Sequence, residues 1–593
     1  MTSKRTSNQT SNQTSNQTSR GLLAQSCCNV LAVAVALVGI SCMPAGSSAS
    51  GASGPTPSGG FGRRDERQFI GSYATVQAVA LSRRFVYAVT PDGIAIYDRL
   101  VNAWQPPLTR DNGFTDMQIT AIAGDPIEDA VWYGAPGAIV VYRPQVDQVQ
   151  RSIISGVPDY IAFDRTPLGD AYVRATGTWS RVSRTGLVTP IARPPTAASL
   201  IAPRSLNDVF AQYPILRTSQ SLLSRNQRAD RALRTYPIVS GGVSDDRASE
   251  VWLGTAGDGL YKVDPAFQQA TPLRFGPIDG GIGALALAAD GIWAAGLGDA
   301  SPSVASGNRQ PRAGLSFASN DLQRWRWIDG TIAVPLIGAR ADAMAVRGNR
   351  AWIATDRGLV RVRLDGSEAI AAWTTLDGMP DDRVLSLAAT AEGTWAGTAR
   401  GLVWVSDSAD ARNPRTRGIG QRLLENTSVF ALQAIGDTLW IGTSAGLVAL
   451  AGGNGAGLNV ATSALSRPLG AEPALRRPVR AMAWSDSVLL AATDDGVLQL
   501  TPRRATEPIR VPDLDGRPVG QVTRLVMDDR TIFLAGTDGL LVASRRGGAR
   551  RLLRAPRDLP GPVTDVVASR EWLWVGTPFG ILRLRRSADG GLP

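Results

Sequence analysis

The chain has 593 residues, a formal charge of +11, no histidine, and cysteine only at 27, 28 and 42. These absences exclude Ser-His-Asp and Cys-His catalysis, zinc sites of the usual His/Cys type, and any disulfide in a chain that starts at or after Cys42. A metal would have to sit on carboxylates and carbonyls, which suits calcium or magnesium, and catalysis would rest on carboxylates, Tyr, Ser, Arg or Lys262.

Lysine occurs only at 4 and 262, so arginine supplies the remaining basic residues. Losing Lys4, Arg5 and Arg20 lowers the charge from +11 to +8. That excess favours anionic partners, but dispersed over a large surface without a recognised motif it does not point to nucleic acid.

Residues 1–20 are dominated by a repeated SNQT unit without core-forming side chains. Residues 21–40 are largely apolar and end in LAVAVALVGI, so a cationic start, an apolar stretch and small residues beyond it read as a secretory signal. Gln25, Ser26 and Asn29 interrupt the run, which leaves it short of the ~20 apolar residues that span a bilayer. Gly39-Ile40-Ser41-Cys42 resembles a bacterial lipobox, which implies acylation of Cys42 within a segment 1–42. Met43 after that Cys implies outer-membrane export in a host that has one. Ordinary cleavage after Ala49 is the alternative. Residues 43–66 form a Pro/Gly/Ser/Ala-rich tether.

From Arg67 the chain is strand-rich and repeats one phrase: YAVTPDGI (87–94), WLGTAGDGL (252–260), WIATDRGL (352–359), WAGTARGL (395–402), WIGTSAGL (440–447), LAATDDGV (490–497), FLAGTDGL (533–540) and WVGTPFGI (574–581). Each copy is a strand, a turn ending in Gly, and a second strand. Aligned on the phrase's Thr position, twelve copies fall at 90, 135, 175, 213, 255, 297, 355, 398, 443, 493, 537 and 577, with a period of about 40–45 residues. The third and fourth copies are degenerate (AYVRATGTWSRVS from 171, DVFAQYPILRTS from 208).

Each unit reads as four strands, a to d. In the best one these are VLSLAAT (384–390), TWAGTA, GLVWVS and, before the next a, a strand of the AAWTTL (371–376) type. Radially repeated four-stranded units are the blades of a β-propeller. The expected fold is all-β, about twelve blades, in two rings of six and six, with seven and five as the alternative. The first would cover 67–320 and the second 321–593. RQFIGSYAT (67–75) is a spare outer strand, and the last repeat, ILRLRR (581–586), lacks one, so an N-terminal strand should complete a C-terminal blade and hide its edge. In the six-and-six arrangement, however, 67–75 closes the first ring and QRWRWI (323–328) passes to the second.

The segment Trp373 to Val384 (WTTLDGMPDDRV) followed by TWAGTARGL, and Trp104 onward (WQPPLTRDNGFTDMQITAI) followed by VWYG, resemble the repeat of the two-component regulator propeller family. The resemblance covers about 67–586. It implies the propeller fold and a place among extracytoplasmic sensing modules of hybrid histidine kinases. Without His there is no phospho-acceptor in these residues, so the expectation is that the chain is not a complete sensor. A weaker resemblance is to the quinone-enzyme-like repeats of outer-membrane assembly lipoproteins.

In a propeller the d–a loops and b–c turns meet on one face, the default ligand surface. The candidates there are Asp111, Asp116, Asp381, Asp382 and Arg383 on d–a loops, and Arg357, Arg400, Asp494, Asp495, Asp538 and Phe579 on b–c turns. Arg forks would suit carboxylate or phosphate. Asp381-Asp382 and Asp494-Asp495 could be read as paired acids, but adjacent carboxylates on a strand or turn point apart. The tryptophans at 132, 252, 352, 395, 440 and 574 share one position and are assigned to packing between blades, not to sugar platforms. No catalytic residue, metal or cofactor is assigned. The expected function is a non-catalytic binding or scaffold module, lipid-anchored at Cys42 in the outer membrane or at the cell surface, or otherwise periplasmic or secreted. Its partner would be an envelope protein or an anionic glycan or peptide. The alternatives are a ligand-sensing subunit for a separate membrane kinase and a polysaccharide-active enzyme using channel-face carboxylates.

Overall fold

The computed structural model describes residues 66–592, apart from 115–117, 167–168, 194, 215, 217–236, 244–249, 267–268, 299–313, 330–333, 368–369, 409–418, 453–464, 467–472, 503–508, 512–513, 515–518, 548–549 and 589. The assignments on 1–42 and on the tether, apart from Glu66, lie outside the described residues, as does Asp116.

Short strands that alternate small and apolar residues, broken by Gly turns, pair with their sequence neighbours. The described residues make eleven antiparallel sheets, ten of four strands and one of five. In chain order the sheets span 78–108, 121–153, 158–191 with 200–201 added, 238–273, 282–329, 341–373, 384–423, 429–466, 479–510, 522–554, and 565–585. The eleventh has three strands of its own and takes Arg67–Ile70 as its fourth, with Arg67 opposite Leu584 and Ile70 opposite Ile581. These are the four-stranded units that the repeat predicts, and they are consistent with propeller blades.

The innermost strands pack on one another. From Ile282–Ala288 onward each inner strand lies against the next, and Asp565–Ala568 lies against both Val522–Met527 and Ile282–Ala288. Separately, Ala78–Leu81 lies against Ala121–Gly124 and Ile238–Val243, and Ala121–Gly124 against Pro158–Asp164. Trp132, Trp252, Trp352, Trp395 and Trp574 are all buried to within 1% of full burial, and Trp440 nearly so, at the inter-sheet positions assigned to them.

The fourth repeat copy departs from its expected strands. Residues Leu206–Gln212 form a helix, α1, packed on Ile238–Val243. Ser205 caps it: the Ser205 hydroxyl accepts from the Asp208 N–H at 3.2 Å, and the Asp208 carboxylate accepts from the Ser205 N–H at 2.9 Å. This reciprocal box satisfies two otherwise orphaned donors and starts a helix where a strand was expected.

The six-and-six strand exchange also fails. Residues 67–70 pair with the C-terminal sheet, not with the sheet at 282–329. Trp325–Asp329 stays paired with Gly314–Ser319. The turn between them is closed by Ser319, whose hydroxyl accepts from the Arg324 N–H at 2.9 Å while its own N–H donates to the Arg324 carbonyl at 3.0 Å. A turn this tight keeps its strands together, so the expected boundary at 320/321 falls inside one sheet.

An aromatic seam joins the first, fourth and fifth sheets. Tyr97 meets Trp104 at 5.1 Å, Trp104 meets Phe275 at 4.8 Å, and Phe275 meets Trp325 at 5.6 Å between ring centres. The Gln323 amide accepts from the Trp104 N–H at 2.9 Å and donates to the Trp104 carbonyl at 2.8 Å, which fixes the register of that seam.

Candidate binding face

The phrase's Thr is more than a β-former. In five sheets of the run from 282 to 585 its buried hydroxyl donates across the b–c turn to the Gly carbonyl: Thr355 to Gly358 at 2.7 Å, Thr398 to Gly401 at 2.9 Å, Thr443 to Gly446 at 2.7 Å, Thr493 to Gly496 at 3.0 Å and Thr577 to Gly580 at 2.9 Å. The same oxygen accepts the N–H of the second turn residue, at 3.1–3.3 Å from Arg357, Arg400, Ala445, Asp495 and Phe579. That residue is therefore pinned by its backbone, and in every case its side chain is exposed. Gly358 shows why Gly ends the turn: its φ is +128°, and a Cβ there would lie 2.5 Å from the Trp373 carbonyl.

The d–a loops share a second device. Thr109–Gly113 and Thr374–Gly378 are single 3-10 turns in which the Asn112 and Asp377 side chains accept from the Thr109 and Thr374 N–H groups, at 2.6 and 3.0 Å. Gly113 and Gly378 follow with φ of +111° and +108°. Met379 and Phe114 then drop into the core.

The candidate acids on this face are engaged. Asp382 accepts the Thr375 N–H at 2.6 Å, whereas Asp381 accepts the Arg383 N–H at 2.8 Å and faces Arg400 Nε at 3.5 Å. The two adjacent carboxylates thus turn to different partners. Asp494 takes a two-point contact from Arg480, at 2.6 and 3.3 Å, while Asp495 meets Arg477 at 2.7 Å. Asp538 meets its neighbour Thr537 Oγ1 at 3.0 Å. Asp111 binds Arg67 Nε at 3.0 Å, so it holds the N-terminal strand. Arg357 donates to the Ile337 carbonyl at 3.2 Å. Arg383 and Phe579 are exposed, Phe579 at 45%. Exposed ion pairs of this kind contribute only about 0–1 kcal/mol each.

Sequence reading missed the inner-strand residues. Six consecutive inner strands, from Ile282–Ala288 to Val522–Met527, carry a bulge at their second residue: Gly283, Asp342, Leu385, Phe430, Arg480 and Thr523. A bulge leaves its residue unpaired and re-aims the side chain. Arg340 grips Asp342 with two bonds, at 2.9 and 3.0 Å, and that carboxylate pushes the Arg340 pKa above its ordinary value. Arg524 pairs with Asp565 at 2.9 Å and also donates to the Asp342 carbonyl, on an inner strand that does not neighbour its own. It is a strut between non-adjacent sheets. For Asp342, Arg480 and Thr523 the available signal was a polar residue directly after the first buried apolar or small residue of the inner strand, as in Val479-Arg480-Ala481. Among the described residues no three acidic side chains gather as a metal site.

No family model and no curated protein matches this sequence. Solved structures do match in fold. PorZ, described as an essential bacterial surface component of the type-IX secretion system of Porphyromonas gingivalis, aligns over 88% of this chain and 87% of its own, at 12% identity and a TM-score of 0.50. The extracellular domain of BT4673 from B. thetaiotaomicron aligns over 87% of this chain and 76% of its own, at 13% identity and a TM-score of 0.39. BamB from Moraxella catarrhalis covers 59% of this chain and 98% of its own, at 11% identity and a TM-score of 0.34. At these identities the likeness concerns fold alone.

Proposed function

We propose that this chain is an exported protein, lipid-anchored through Cys42, whose sheets form two β-propeller rings and whose b–c/d–a face binds an envelope partner without catalysing a reaction. The larger ring comprises the seven sheets from 282 to 585 and is sealed by residues 67–70. The smaller unit comprises the four sheets from 78 to 273 together with α1. The order of contacts among innermost strands supports that division, as does the pairing of residues 67–70 with 581–584.

One observation carries the binding reading. Arg357, Arg400, Asp495 and Phe579 occupy the same exposed position on four turns built to one plan, each backbone pinned by a buried Thr. Such a rim offers guanidinium forks and an aromatic side chain on rigid supports, which suits an acidic peptide loop or anionic glycan. The enzyme reading has less support, because Asp381 and Asp382 diverge and Asp494 and Asp495 each bind an arginine. The likeness to PorZ over nearly the full length of both chains is compatible with a surface role.

The test is a tagged pull-down from gently solubilised membranes, with Cys42→Ala as the control. A stoichiometric envelope protein that is lost or weakened in the control is the expected result. Recovery of the chain alone overturns the stable-scaffold reading and directs the search to glycan and peptide ligands.

A further inference from the structure

The opposite end of the fold carries a different charge pattern. In an antiparallel four-stranded sheet the a–b and c–d turns lie at the end away from the b–c turn. At that end of the tenth and eleventh sheets stand seven arginines. Three of them are neutralised: Arg545 pairs with Asp486 at 2.8 Å, Arg586 with Asp528 at 2.5 Å, and Arg530 with Asp529 at 3.5 Å. The other four, Arg546, Arg550, Arg570 and Arg585, are exposed and make no side-chain hydrogen bond or ion pair among the described residues. Among the described residues the acids left over at this end are Glu66 and Glu571.

The position of this patch is what makes it informative. The Arg585 N–H donates to the Glu66 carbonyl at 2.7 Å, so the chain coming from Cys42 enters the fold against the patch itself. The 24 residues from Cys42 to Glu66 reach at most about 85 Å when fully extended. A lipid on Cys42 would therefore hold these arginines at high effective concentration beside a bilayer surface.

We propose that Arg546, Arg550, Arg570 and Arg585 form a docking surface for the phosphate groups of the membrane that holds the Cys42 lipid. Guanidinium groups without acidic partners gain most from phosphate, since nothing has to be displaced. Docking this end directs the b–c turns, and with them the proposed partner-binding rim, away from the bilayer. The inference rests on the lipid-anchor reading for its biological setting.

The test is flotation of the purified full-length chain, carrying Cys42→Ala, with vesicles of phosphatidylcholine alone and of phosphatidylcholine mixed with phosphatidylglycerol. The apolar segment at 21–40 contributes equally to every variant and is read on phosphatidylcholine alone. The expected result is salt-sensitive binding to the anionic vesicles that falls at least tenfold in Arg546→Gln/Arg550→Gln/Arg570→Gln/Arg585→Gln. The opposite-face control, Arg357→Gln/Arg383→Gln/Arg400→Gln, should bind as the parent does. Parental binding by the quadruple variant, or an equal loss in the control, overturns the proposal. Unchanged thermal unfolding verifies that the variants fold. Mass spectrometry of Cys42 in the wild-type chain tests the anchor separately, and an unmodified Cys42 would remove the setting without altering the vesicle result.

Discussion

The run of sheets from 282 to 585 and the run from 78 to 273 use the same repeat under different discipline. In the later run five b–c turns carry the Thr clamp and six inner strands carry a bulge at their second residue, which Asp159 and Val239 also make in the earlier run. In the earlier run Thr90 and Thr255 keep the clamp, but the position is Ala135 in the second sheet and Ala175 in the third. The second sheet's turn closes through the backbone instead, with the Gly137 N–H donating to the Gly156 carbonyl at 3.0 Å and the Ile154 N–H to the Gly137 carbonyl at 3.1 Å. The fourth copy has left the sheet plan altogether. A clamp made by one buried hydroxyl fixes a turn independently of its neighbours. A backbone closure depends on the adjoining outer strand. That difference separates the clamped turns, which occur in both runs, from the turns at Ala135 and Ala175.

The sharpest break between the runs is a pair of glycine substitutions. Gly358→Val places a branched side chain at φ +128° and drives its Cβ onto the Trp373 carbonyl. The expected loss is about 3 kcal/mol or more. Gly137→Ala, at φ +75° with nothing within 4 Å of the added Cβ, should cost about 1 kcal/mol. Denaturant unfolding of both variants measures the contrast. Equal losses would show that the close outer strand does not set the glycine requirement in the regular run.

Next in size is the strut. Arg524→Met leaves the nearly buried Asp565 without its guanidinium and should destabilise the protein by about 2 kcal/mol, and adding Asp565→Asn should return part of that loss. A double variant equal to the sum of its singles would mean that Arg524 acts through the Asp342 carbonyl, not through Asp565.

The clamp itself comes third. Thr398→Val removes a donor to Gly401 and an acceptor for Arg400 from a fully buried site, with an expected cost of about 1–2 kcal/mol. Thr176→Val in the third sheet removes one exposed contact, to the Val157 N–H at 2.9 Å, and should stay within about 0.5 kcal/mol. Melting temperatures of the two variants decide the point.

What was legible in the sequence follows the same division. The phrase, its tryptophans and the N-terminal strand that completes the last sheet could be read because each is a local pattern with one packing solution. The bulges could not, because period-two alternation assigns Arg480 and Asp342 a face only if the pairing is uninterrupted. The strut could not either, since Arg524 and Asp342 meet through topology and not through spacing. The helix was readable in principle. Ser205-Leu206-Asn207-Asp208 is a capping signature, and reading the fourth copy by its place in the repeat passed over it. The contacts of the candidate residues were not legible: nothing in the spacing says that Asp111 would hold strand 67–70 or that Asp382 would cap a loop.

The smallest expected effect bears on that helix. The Ser205 hydroxyl and N–H hold the Asp208 carboxyl below its ordinary pKa. A depressed folded-state value means that the carboxylate stabilises the fold above the unfolded pKa of about 3.9, and that this contribution is lost as pH falls through the lower folded value. At neutral pH, Asp208→Asn should therefore loosen residues 205–213, seen as hydrogen exchange several-fold faster in the peptide that covers them, with the regular run from 282 onward unchanged. As pH falls through the lowered folded value the wild-type and Asp208→Asn peptides should converge, because the wild-type carboxyl then loses the charge that the substitution removes. A difference that persists in acid would mean that the Asp208 side chain holds α1 by packing and not by its charge. A loss that spreads into the sheets beyond 282 would mean that the two runs unfold as one unit, and the independence of the regular copies argued from their clamps would fail with it.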